Sequence, residues 1–222
     1  MIKAGIVVFP GSNCDRDVFY ILKILGFEPY YHFHKDKNIF NYRLIVLPGG
    51  FSYGDYLRAG AIAKFSPVME SIYKFVENEM GLVIGICNGF QILTEAQILE
   101  GALTKNLNNK FICKLVELKV INNSTPFTKF FQKNQTIKIP IAHSEGRFFH
   151  NEPISLYQRN LVAFEYVDNP NGSVMNIAGI FNSKFNVLGL MPHPERRSEG
   201  ILGEGSKDGY YIFKSIFEFL KW

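Results

Sequence analysis

Three runs of residues without a polar side chain, Leu44–Leu47, Leu82–Ile86 and 187–191, each break off into a turn that contains glycine or proline. A strand that is apolar on both of its alternating faces needs cover on both. These runs therefore predict buried strands of a parallel sheet, not the half-solvated strands of a meander. Between them the period changes. Val18, Ile21, Leu22 and Leu25 recur at i, i+3, i+4 and i+7 and stop at Gly26, the pattern of an amphipathic helix closed by a left-handed glycine. Ser66-Pro67 opens a second helix carried by Val68, Ile72 and Phe75 to about residue 80, and 88–98 reads as a third. With the apolar opening run from Ile2 to Phe9, this is the alternation of crossover-connected α/β folds.

Beyond Gly101 the segments become shorter and alternate, at 115–121, 137–141, 163–167, Ile177–Phe181 and 187–191. Hairpin turns are expected at Asn122-Asn123 and at Asn169-Pro170-Asn171-Gly172, and 210–220 has the spacing of a helix laid on the core. No low-complexity linker divides the chain, so residues 1–222 are expected to form one domain. Its expected architecture is an open, mostly parallel sheet with helices on both faces, and a mixed or antiparallel strand region in the second half.

The surface charge narrows the partners. Lys and Arg number 24 against 20 Asp and Glu, for a formal charge of +4, and the only tight basic pair is Arg196-Arg197. Without a basic stripe, nucleic acid is not expected as a partner. No stretch approaches the roughly 20 apolar residues of a membrane helix, and the N-terminus lacks a signal-peptide layout, so no membrane association is expected. Three cysteines, Cys14, Cys87 and Cys113, are too few for a disulfide framework and fit a reducing, cytoplasmic setting.

The run Leu82–Ile86 leads into Gly85-Ile86-Cys87-Asn88-Gly89 and then a helix, a cysteine counterpart of the G-x-S-x-G nucleophile elbow. A side chain exposed at so sharp a turn sits in strained backbone, and glycines two residues to either side remove the Cβ atoms that would clash. The helix N-terminus behind Cys87 favours thiolate over thiol. The competing reading, a small buried hydrophobe between flexible glycines, loses ground because the carboxyl ends of parallel strands are where such sheets bind ligands. Cys14, in a loop, and Cys113, in a strand-like context, are expected to be structural.

A matching base follows the last apolar run, in Pro192-His193-Pro194-Glu195. Residues two apart in an extended segment point the same way, so Glu195 can hold one imidazole nitrogen of His193 while the other faces the nucleophile. That is the nucleophile, base and orienter set of acyl transfer, with no metal required. The backbone N–H of Asn88 can serve the oxyanion, and the Pro48-Gly49-Gly50 turn can present a second donor. His32 and His34 are expected to be solvated or at the core edge. His143, in the polar turn Ala142-His143-Ser144-Glu145-Gly146, suits either a substrate contact or a plain loop.

Together PGG at 48–50, GICNGFQ at 85–91 and MPHPE at 191–195 resemble the triad-type, class I glutamine amidotransferases, which have a flavodoxin-like fold. GSNCDRD at 11–17, PGGFSYGDYLRAGAIA at 48–63, FICKLVEL at 111–118, NPNGS at 169–173 and GLMPHPER at 189–196 extend the resemblance over nearly the whole chain. The branch they resemble is that of glutaminase subunits serving an ATP-dependent carbon–nitrogen ligase of purine biosynthesis. In that branch, formylglycinamide ribonucleotide becomes formylglycinamidine ribonucleotide.

The resemblance implies Cys87 as nucleophile, His193 as base, Glu195 as its orienter and Gly50 and Asn88 as oxyanion donors. It implies contacts to glutamine from Gln91 and from the turn carrying His143 and Glu145, where Ser144 replaces the family's usual glycine. It also implies a synthetase subunit and a small accessory subunit as partners, with ATP and Mg2+ on the synthetase and no cofactor on this chain. Tyr53, Tyr56, Arg58, Arg147 and Arg196 are the expected docking residues. A related cysteine hydrolase on the same elbow is disfavoured by the carboxylate at 195 and by Gln91, and a silent interaction subunit by the intact triad.

Overall fold

A computed structural model describes residues 1–202 and 205–221. The strands are β1 (Ile2–Val8), β2 (Phe27–Phe33), β3 (Leu44–Leu47), β4 (Leu82–Ile86), β5 (Ala102–Thr104), β6 (Ile112–Val120), β7 (Thr136–His143), β8 (Arg147–Phe149), β9 (Val162–Tyr166), β10 (Ile177–Phe181) and β11 (Val187–Leu190). The helices are α1 (Asp15–Leu25), α2 (Pro67–Glu77), α3 (Asn88–Glu95), α4 (Pro153–Gln158) and α5 (Asp208–Leu220). Nine strands form one sheet in the order β2-β1-β3-β4-β11-β10-β9-β6-β7, and β5 and β8 make a separate pair.

The sheet changes character at β11. From β2 to β11 every neighbour is parallel, and from β11 to β7 every neighbour is antiparallel. The second half of the sequence thus extends the same sheet and is not a separate layer. β3, β4 and β11 are buried at every position, as expected of strands covered on both faces. β1, β3, β4 and β11 run the same way, so the segments after their carboxyl ends meet on one edge. These segments begin at Phe9, Pro48, Cys87 and Met191, and the site forms where they meet.

Local chemistry explains the helix ends. Gly26 adopts φ 93° and returns its N–H to the Lys23 carbonyl, closing α1, and Pro67 occupies the first position of α2.

Two expectations change, and one strand is added to them. Asn122-Asn123 does not make a tight hairpin: Asn122 Oδ1 accepts from Ser124 N at 3.0 Å, but the chain detours over 121–135 because Phe127 and Phe131 bury themselves in the core. β2 was not anticipated, because it is an edge strand carrying Pro29 and a broken burial pattern, which only an edge tolerates. His32 and His34 on and beside β2 are buried. His32 Nε2 lies 2.8 Å from the Asp36 carbonyl and His34 Nδ1 lies 3.1 Å from Ser66 Oγ.

Candidate functional site

The elbow has the strain its sequence implies. Cys87 sits at φ 49° and ψ −102°, a conformation worth about 1–3 kcal/mol for a residue with a Cβ. It is held there by its N–H, which donates to the Leu190 carbonyl at 2.8 Å, and by close packing on both sides. A Cβ on Gly85 would come within 2.7 Å of Gly89 backbone, and one on Gly89 within 2.7 Å of the Leu47 carbonyl carbon. The glycines are therefore required by the approach of α3 to β3 and β4. The thiol is buried at the start of α3, 3.7 Å from the Ala142 carbonyl.

β11 leads into the segment that carries His193 and Glu195. His193 N donates to the Pro140 carbonyl at 2.8 Å, and Nδ1 lies 2.6 Å from Glu195 Oε1, with both side chains buried. A carboxylate only accepts, so Nδ1 carries a proton and Nε2 is the nitrogen left to face other groups. Among the described residues Nε2 has no hydrogen-bond partner. Burial works against a charged ring here, but the Glu195 carboxylate, Cys87 and Cys14 outweigh it and hold the imidazole well above its ordinary value. The pair can therefore take up and hold a proton beside Cys87.

Two backbone N–H groups lie next to Cys87 and the Gly49-Gly50 turn without a backbone acceptor among the described residues. An isolated bridge between Ser12 and Gly50 is made by Asn13 N on the Gly49 carbonyl (3.3 Å) and Phe51 N on the Gly11 carbonyl (2.9 Å). This pairing uses the neighbours of Gly50, and among the described residues the Gly50 N–H has no backbone acceptor. Gly50 has φ 154°, and a Cβ on it would lie 2.8 Å from the Gly11 carbonyl oxygen, so the turn needs glycine. Asn88 N is the first N–H of α3, which no intrahelical acceptor reaches.

A cavity of about 230 Å3 opens over these groups, lined by Cys87, His193 and Gly50 and walled by Phe51, Phe111 and Arg196. Cys14 and Cys113 also line it, so all three cysteines of the chain meet at one cavity although the sequence suggests only one for chemistry.

Gln91, His143 and Glu145 lie beside the cavity and not in its lining. Gln91 Nε2 donates to the Glu145 carbonyl at 2.7 Å and its Oε1 accepts from Asn88 Nδ2 at 2.9 Å, so both ends of the amide tie α3 to the 143–146 turn. Glu145 Oε2 accepts from Ala59 N at 3.0 Å and fastens the 51–60 loop to that turn. In the same loop Asp55 is pushed up to about 6, first by burial and then by the Glu145 charge. His143 Nδ1 lies 3.0 Å from Asn106 Oδ1, and burial together with the nearby His193 charge pushes the ring down to about 4. Of the expected docking residues, Tyr56 and Arg58 are exposed. Tyr53 is half-buried, with its hydroxyl on His34 and Ser66.

Asn106 and Asn171 were missed by sequence reasoning. Asn106 Oδ1 also accepts from Gly146 N (3.0 Å) and Asn171 Nδ2 donates to the Gly146 carbonyl (2.7 Å), so two distant loops clamp the turn. Asn171 lies in the NPNGS motif that the sequence marks as a turn, but neither asparagine carries a pattern that points to contact with Gly146. Donor atoms of Cys14, His193 and Glu195 lie within 4.8 Å of one another, a set able to ligate a metal. The Arg196 guanidinium, 2.9 Å from the Cys14 sulfur, already supplies positive charge there and disfavours a dication.

The model of the CobB/CobQ-like glutamine amidotransferase domain matches residues 1–210. A phosphoribosylformylglycinamidine synthase subunit PurQ of Pseudothermotoga lettingae is 53% identical over 231 residues, covering 99% of this chain and 97% of the relative. A chain in the structure of PurLQS from Thermotoga maritima superposes with a TM-score of 0.91 at 49% identity, covering 99% of each chain. The glutaminase domain of a Trypanosoma brucei CTPS with bound acivicin, at 12% identity, covers 98% of this chain and 94% of that one. Its TM-score of 0.65 shows the shared fold alone.

Proposed function

The chain belongs to the CobB/CobQ-like glutamine amidotransferase family, and we propose that it is the glutamine-hydrolysing subunit of a phosphoribosylformylglycinamidine synthase. The observation that carries this reading is the 53% identity, over 99% of the chain, to a subunit of that enzyme. Its partners are then a synthetase subunit, which holds ATP, Mg2+ and formylglycinamide ribonucleotide, and a small accessory subunit. Similarity to a subunit of this synthase supports work in the cytoplasm; among the described residues no helix is long and apolar enough to cross a membrane.

In the proposed reaction Cys87 gives its proton to His193 Nε2, and the thiolate attacks the side-chain carbonyl carbon of glutamine. The oxyanion that forms is stabilised by the N–H groups of Gly50 and Asn88, which have no backbone acceptor among the described residues. Collapse breaks the C–N bond as His193 returns its proton to the departing ammonia. Water then attacks the thioester carbonyl, its proton passing to His193, and glutamate leaves as Cys87 recovers its proton. Glu195 keeps Nδ1 protonated and Nε2 aimed throughout. The ammonia passes to the synthetase.

A free glutaminase wastes glutamine, so turnover is expected to be slow in the isolated chain and faster when the synthetase holds its nucleotides. The loops at 51–60 and 143–146, joined through Glu145, Gln91 and Asn88, are the segments whose closure would align the donors. Glutamate release measured with and without the synthetase, ATP and acceptor tests this. An unchanged rate with no co-elution would make the chain a stand-alone hydrolase.

A further inference from the structure

We propose that Cys14 is a positioning residue for the base, its sulfur locked by Arg196 against the Nδ1–Cε1 edge of the His193 ring. This rests on the reading of His193 as the base, and the experiment below separates failure of one from failure of the other. Cys14 ends the loop after β1 and stands just before α1, almost fully buried. Its N–H donates to the Gly49 carbonyl at 3.2 Å, which ties it to the turn that carries the Gly50 donor. Its thiol donates to Asn13 Oδ1 at 3.1 Å and accepts from Arg196 Nη2 at 2.9 Å, so the sulfur is fixed from two directions.

Three elements converge on that sulfur. A Cβ built on Gly49 would meet His193 Cε1 at 2.7 Å, the Cys14 sulfur at 3.0 Å and His193 Nδ1 at 3.3 Å. The imidazole edge, the sulfur and the Gly49 backbone are thus packed together with no room for a methyl group. The ring is held at Nδ1 by Glu195, the Cys14 sulfur lies within 4.8 Å of a ring nitrogen, and among the described residues Nε2 has no hydrogen-bond partner. A polarizable sulfur beside the edge that carries positive charge when the ring is protonated also favours the imidazolium.

The groups that face His193 are Cys14 and Asp17 from the start of α1, Cys87 from the elbow, His143 from β7, and Glu195 and Arg196 from its own turn. Removing the Cys14 sulfur takes away one contact that favours the charged ring. The alkaline limb of the kcat/KM profile, where the imidazolium is lost, therefore moves to lower pH.

The test compares Cys14→Val, which fills the same space without a polar atom, with Cys14→Ser, which keeps a donor and an acceptor. Thermal unfolding confirms the fold of each, and His193→Ala is measured alongside. In the complete synthetase complex, Cys14→Val is expected to lower kcat about tenfold with KM within about twofold and an acid-shifted alkaline limb, and Cys14→Ser to recover to within about threefold. Wild-type kcat and pH profile in Cys14→Val, a loss carried wholly by KM, or no recovery in Cys14→Ser overturns the proposal. Full activity in His193→Ala overturns instead the assignment of the base on which it rests.

Discussion

Replacing Gly49 by alanine isolates how tightly His193 is placed. Gly49 does not occupy a positive-φ conformation, so alanine meets no backbone objection and the whole effect comes from one methyl group. That methyl would stand 2.7 Å from His193 Cε1 and 3.0 Å from the Cys14 sulfur, whereas relaxed carbon contacts lie at roughly 3.5–4.0 Å. The ring must therefore retreat by about 0.8–1.3 Å. Glu195, 2.6 Å from Nδ1 and buried in its own turn, cannot follow it. A displacement of about 1 Å at a reacting group costs on the order of 10²-fold in rate, or about 2.7 kcal/mol in barrier. Overpacking is expected to cost a further 1–3 kcal/mol of stability. Glutamate release at saturating glutamine, with thermal unfolding on the same preparation, measures both. A folded Gly49→Ala within about threefold of the wild-type kcat would refute the tight placement of His193.

Glu195→Gln removes a charge-assisted bond worth about 1.5–3 kcal/mol, so turnover should fall about 10- to 100-fold, less than in His193→Ala, with KM nearly constant; equal, complete loss in both would assign the carboxylate another role. His143 is held near 4 against an ordinary 6.5, so its contribution to stability is present above pH 6.5 and lost as pH falls toward 4, up to about 3 kcal/mol. The fall in melting temperature over that window should be shallower in His143→Gln, and an unchanged slope would contradict the neutral buried ring. Asp55 titrates the other way: raised to about 6, it favours folding when protonated, an advantage complete below about pH 3.8 and lost as pH rises through 6. Because its carboxyl is only half-buried, solvent screening leaves about 1 kcal/mol, and Asp55→Asn should raise the melting temperature at pH 7.5 and leave it unchanged at pH 4.

Legibility in the sequence followed burial. β3, β4 and β11 are apolar on both faces and announced themselves as parallel strands, and the glycines flanking Cys87 marked an elbow because the approach of α3 to β3 tolerates no Cβ. The pairing of Glu195 with His193 was readable because they are two residues apart, and a 2.6 Å bond joins them. What stayed hidden depends on residues brought together from afar. Cys14 lies 182 positions from Arg196 and 35 before Gly49, and nothing local to its loop signals contact with the base. The clamps of Asn106 and Asn171 on Gly146 are hidden for the same reason. Local patterning also favoured a hairpin at Asn122-Asn123, where the burial of Phe127 and Phe131 prevailed.

The central claim is that Cys87 makes the ammonia and the synthetase uses it. The most direct measurement supplies the complete complex, carrying Cys87→Ser in this chain, with ATP and formylglycinamide ribonucleotide and either glutamine or an ammonium salt as nitrogen source. The expected result is loss of formylglycinamidine ribonucleotide formation from glutamine with formation from ammonium intact. Glutamine-dependent formation that survives Cys87→Ser would contradict the claim.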